Sequence, residues 1–156
     1  MEVYRDPTTY KFGLKAKKGL RALPATYSEL KPTAKKGIFL GRTAAGVSAI
    51  NASGKVLASL NGNWNVSDGY VYQAQNAPRD EDCFMYDATY YDNRYFENGS
   101  FSRSTKTASI SRRMFLTVTR AGETYTEADK KRGEKRDRDC YQAVKRTAIS
   151  AGYTVN

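Results

Sequence analysis

Histidine is absent from all 156 residues. That removes in one stroke the commonest general base, the commonest neutral metal ligand, and the Ser-His and Cys-His nucleophile pairs. Only two cysteines occur, Cys83 and Cys140. They share no C-x-x-C spacing, so these residues alone build no zinc site. Partly buried free thiols in a reducing compartment are their expected state, with a disulfide as the alternative. Long apolar runs are missing as well. No stretch is long enough to span a bilayer, and Met-Glu-Val-Tyr-Arg-Asp-Pro at the start has no apolar signal region. The expectation is a protein that is not secreted by a cleaved signal, located in the cytoplasm or within a particle assembled inside the cell, without membrane insertion.

Phosphate-cradling loops of the G-x-x-x-x-G-K-[ST] and G-x-G-x-x-G kinds are absent too. A lone S-x-x-K runs from Ser28 to Lys31, but in a solvated segment beside Pro32 the lysine stays protonated and is no base at neutral pH. Asp80, Glu81 and Asp82 lack the spacing of an EF-hand loop and read as an acidic surface run. These absences predict a protein that is not an enzyme, with no catalytic residue, no cofactor and no metal.

What the chain does have is charge in blocks. Residues 1–60 hold 11 Lys/Arg against 3 Asp/Glu, residues 61–100 hold 2 against 7, and residues 101–156 hold 13 against 6, within a formal net charge of +10. Two basic ends around an acidic, Tyr-rich middle predict an acidic partner and a second, differently charged face. Tyrosine, with 12 residues against 6 Phe and 1 Trp, supplies rings with a polar tip, suited to strands and to interfaces alike.

Residues 1–36 show no sustained period and combine Pro7, Pro24 and Pro32 with a dense set of lysines, the pattern of an extended basic arm. Ala16-Lys-Lys-Gly-Leu20 recurs as Ala34-Lys-Lys-Gly-Ile38, which places two lysine pairs beside a flexible glycine and an apolar anchor. Lys15, Lys17, Lys18, Arg21, Lys35 and Lys36 are therefore the candidate partner-binding residues of this arm. Residues 37–156 read as one β-rich domain. Short apolar runs at 38–40, 47–50, 55–60, 64–66 and 70–74 alternate with turn residues, and Asn61-Gly62 is a type I′ hairpin signal. The acidic block predicts a strand entering a second hairpin at Asn98-Gly99, with a short helix over 83–88 as the alternative. Ile110, Met114, Leu116 and Val118 alternate as one face of a returning strand.

Thr124 to Glu127 fits a capping box, and Cys140, Val144 and Ala148 form one stripe of a helix over about 124–151 that Gly152 ends. Its charges are expected to be laced by i,i+4 pairs such as Glu134 with Arg138. The fold class is thus α+β, mostly β: a small antiparallel sheet or partly open barrel of meander hairpins, with a C-terminal helix and a basic arm. Trp64, Tyr86, Tyr90, Tyr91 and Tyr95 are the candidate aromatic contact face.

The function this predicts is a non-enzymatic structural or linker component of a large assembly, of virion or linker type, docking on protein subunits through the arm and the Tyr-rich surfaces. The alternatives are nucleic-acid binding, with Lys and Arg on phosphates and Tyr or Trp64 on bases, or inhibition by occupying a partner's acidic or nucleic-acid channel. The order of a strand over 112–119, a basic helix and then Gly152-Tyr-Thr-Val155 is similar to the small capping domains of phycobilisome linker polypeptides. That resemblance covers less than a third of the chain, lacks the middle strand of those domains, and implies a linker role.

Overall fold

In the computed structural model the described residues are 1–16, 21–115, 117, 119 and 122–156, with the side chains of Arg21 and Ala22 outside the description. The chain forms two compact units, Met1–Gln73 with Asp92–Thr105, and Ala74–Tyr91 with Lys106–Asn156. Among the described residues the strands fall into three sheets with no closed barrel, and a single long helix lies near the C-terminus.

In the first unit β1 (Glu2–Arg5), β2 (Phe12–Lys15) and β3 (Arg21–Tyr27) form an antiparallel sheet. Next come β4 (Glu29–Pro32), β5 (Ile38–Thr43), β6 (Gly46–Asn51) and β7 (Val56–Asn61), an antiparallel four-stranded meander. The expected arm is therefore not seen: residues 2–32 carry four strands. Their apolar residues are sparse but deeply used, since Leu14, Tyr27 and Leu30 are buried in one cluster with Phe39 and Ile50. Packing of a few well-placed side chains outweighs a weak period, which lysines between them conceal. Tyr27 lies flat over Gly41, where an added Cβ would stand 2.5 Å from its ring. A second cluster joins Leu40, Val47, Ala49, Trp64, Val66, Val71 and Phe101.

The Asn61-Gly62 hairpin does not form. β7 pairs with β6, whereas β8 (Asn65–Val66) pairs with β9 (Val71–Asn76), so at Gly62 the chain leaves one sheet for another. Asn61 has no positive φ, as a type I′ turn would demand, and its carbonyl oxygen accepts from Trp64 Nε1 at 3.0 Å. Burial of the indole decides this turn. The Asn98-Gly99 hairpin does form, with φ of 52° and 83°, between β10 (Tyr86–Glu97) and β11 (Ser100–Arg112).

In the second unit the acidic run makes a 3-10 turn, Glu81–Cys83, where Asp80 Oδ1 accepts from the Asp82 N–H at 2.9 Å. β11 ends at Arg112; Met114 and Phe115 beyond it are exposed, and Leu116 and Val118 lie outside the described residues. The strand over 112–119 on which the linker resemblance rests is thus not found among the described residues. Helix α1 (Glu127–Ser150) follows, and β12 (Thr154–Val155) closes the unit by pairing in parallel with β11. Gly133 sits inside the unbroken helix, on its buried side. No helix among the described residues is long and apolar enough to cross a membrane.

Candidate functional site: the outer face of the C-terminal helix

Helix α1 begins two residues later than its sequence signal. Thr126, not Thr124, is the N-cap: its Oγ1 accepts from the Asp129 N–H at 3.2 Å, while Asp129 Oδ2 accepts from the Thr126 N–H at 2.8 Å. A capping box needs only a hydroxyl and a carboxylate three residues apart, and Asp129 is drawn in by a further bond to Arg132 that Glu127 does not make. Donation from Thr126 holds the Asp129 carboxyl below its ordinary pKa, with Arg132 adding to the effect.

The helix is pinned along one stripe. Gly133, Cys140 and Ala148 are buried on it, and Val144 packs into the same two apolar clusters. Cys140 is joined to Cys83 in a disulfide, with the Cα atoms 5.2 Å apart. The free-thiol expectation is thereby corrected: a separation of 57 positions says nothing about distance once α1 packs on the 3-10 turn. Beside the stripe, Asp137 Oδ2 accepts from the Tyr86 hydroxyl at 3.0 Å and from Arg112 Nη1 at 2.8 Å. Burial, then the Asp137 carboxylate, pushes the Tyr86 hydroxyl above its ordinary pKa.

With the buried stripe fixed, a period of 3.6 residues sets the opposite side. Lys131, Lys135, Arg138, Gln142 and Arg146 follow one another at intervals of three or four, and all five are exposed. Glu127 and Asp139 flank this row. The expected lacing by i,i+4 pairs is absent among the described residues. Arg132 with Asp129 and Arg112 with Asp137 are the ion pairs the helix makes there, and Glu134 does not meet Arg138. Asp129 and Asp137 are engaged elsewhere, in the cap and in the Tyr86–Asp137–Arg112 network, whereas Glu127, Glu134 and Asp139 stay exposed beside the row. Four cations spaced over about 22 Å of helix, at 1.5 Å per residue, are left to face solvent.

The residues anticipated from sequence are distributed differently. Lys35 and Lys36 are exposed in the turn between β4 and β5, Lys15 is half-buried on β2, and Arg21 belongs to β3. Lys17 and Lys18 lie outside the described residues. Of the aromatic set, Trp64, Tyr86 and Tyr90 are buried, with Tyr90 stacked on Tyr153 at 4.2 Å between centroids. Their rings pack in cores and present no contact face. Tyr91 and Tyr95 are half-buried. Tyr95 belongs to a small group that sequence alone did not single out: Tyr70 lies 5.4 Å away, and the Arg103 guanidinium sits 4.6 Å over the Tyr95 ring.

A polar cleft of about 770 Å³ in the first unit is lined by Lys11, Ser28, Glu29, Arg42 and Asn63 among others. Arg42 Nη2 donates to Asn63 Oδ1 at 2.8 Å, and Ser28 donates to the Arg42 carbonyl oxygen at 3.1 Å. Among the described residues, no group of three or more Cys, Asp or Glu converges as metal ligands would. The chain matches no family model, and no curated protein and no solved structure is significantly similar to it.

Proposed function

We propose that the protein is a non-enzymatic docking component of a larger assembly, held to an acidic partner by its cationic surfaces. The observation that carries this reading is the row Lys131, Lys135, Arg138 and Arg146, exposed and without ion-pair partners among the described residues. Cations so aligned repel one another and raise the free energy of the isolated chain slightly, a cost an anionic partner removes. The emphasis thus moves from the N-terminal lysines to α1. Lys35 and Lys36, on an exposed turn, offer a second and smaller contact. Capture on an anionic matrix at low salt, comparing the parent chain with a Lys131→Gln/Lys135→Gln/Arg138→Gln variant, tests this role. Retention should fall for the variant by more than for Lys35→Gln/Lys36→Gln. Equal elution of parent and helix variant would refute it.

A further inference from the structure

We infer that the acidic partner of the outer face of α1 is the phosphate backbone of a nucleic acid, a choice that rests on the docking role proposed above and names its ligand. Two features of the face select phosphate over other anions. The first is what accompanies the cations. Interfaces with acidic proteins draw their affinity from buried aromatic and apolar anchors, with charges mainly setting rate and orientation. The row from Lys131 to Arg146 has no aromatic residue, and its one large apolar neighbour is Ile149 at the far end. A helix that inserts into the surface of an anionic bilayer likewise sets a Trp, Phe or Leu face beside the basic one. Phosphate backbones need neither, because counterion release from aligned charge supplies the binding by itself.

The second feature is geometry. The row is straight, about 22 Å long, and lies on a helix whose opposite side is pinned by Cys140, Val144 and Ala148. Duplex DNA offers one charge per about 1.7 Å of axis, so a rigid line of four cations finds phosphates along its whole length without either partner reorganising. The helix N-terminus plays no part, since the Asp129 carboxylate of the capping box lies there and repels phosphate. Contacts from this row to phosphates position the protein without reading sequence.

Fluorescence anisotropy with a labelled random-sequence 20-bp duplex and the matching single strand, titrated at 50 to 200 mM salt, tests this. With four phosphate contacts, duplex affinity for the parent chain should fall about 100-fold over that range, from a slope near −0.9 per contact. For Lys131→Gln/Lys135→Gln/Arg138→Gln the fall should shrink to less than about 10-fold, with unchanged helical circular dichroism, because these side chains are exposed. Lys35→Gln/Lys36→Gln should leave most of the slope in place, and shuffling the duplex sequence should change affinity less than 3-fold. No duplex or single-strand binding at 50 mM, together with helix-dependent binding to polyglutamate or to anionic vesicles, would overturn the nucleic-acid assignment while leaving the docking role intact. A slope that survives the triple variant would overturn the assignment of the site to α1.

Discussion

Gly46 begins β6 with φ at 152°, and a Cβ there would drive into the carbonyl oxygen of Leu60 on the neighbouring strand. The obstacle is backbone, so nothing can swing aside. Gly46→Ala should cost about 3 kcal/mol in a denaturant titration, while Gly37→Ala, at a positive φ but with open space around it, should cost nearer 1. Asp129 gives a pH signature. Its folded pKa lies below the unfolded one, so its contribution is complete above the ordinary carboxylate pKa and disappears as pH falls through the depressed value. The difference in Tm between the parent chain and Asp129→Asn should therefore be largest near neutral pH and narrow as pH falls below the ordinary carboxylate range. A gap independent of pH would contradict the capping role. At this scale sequence reading recovered the cap chemistry two residues out of register. Thr124 and Thr126 are both followed three residues later by an acid, and only the bond to Arg132 separates them.

Among the elements, five apolar runs from Ile38 to Ala74 all became strands, because β-branched and aromatic residues between turns leave few alternatives. Which strand pairs with which was not legible at Asn61-Gly62. There the local turn signal competed with burial of Trp64, a contact with residues distant in sequence, and burial prevailed. The returning strand was overextended for a similar reason: Met114 continues the alternation, yet the strand ends at Arg112. The helix stripe of Cys140, Val144 and Ala148 was legible, but its consequence for Cys83 was not, since no period links a helix to a turn far upstream. Closing a loop of 57 residues restricts the unfolded chain enough to stabilise the fold by about 4 kcal/mol. Reduction, or Cys83→Ala/Cys140→Ala, should lower Tm and make it insensitive to dithiothreitol. Identical melting with and without reductant in the parent chain would refute the bridge.

For the whole molecule, the three charge blocks are real but do not map onto separable parts. The basic N-terminal block is folded into strands, and deleting residues 1–32 would remove Leu14, Tyr27 and Leu30 from a cluster shared with Phe39 and Ile50. That truncation should yield a chain that has lost its cooperative melting transition, where removal of a true arm would leave melting unchanged. Sequence could not reveal this, because three buried residues among many lysines produce no period. The candidate site was missed for the converse reason. The mix of acids and bases along the helix looked self-neutralising until the cap took Asp129 and the Tyr86–Asp137–Arg112 network took Asp137. The interleaved make-up of the two units also fixes an order of events during synthesis. The first unit is complete once Thr105 has left the ribosome, whereas Cys83 must wait for Cys140. At 5 to 20 residues per second that wait is roughly 3 to 11 s. Throughout it the Cys83 thiol stands without its intended partner, which makes this interval the moment when intermolecular disulfides between nascent chains compete with the native one.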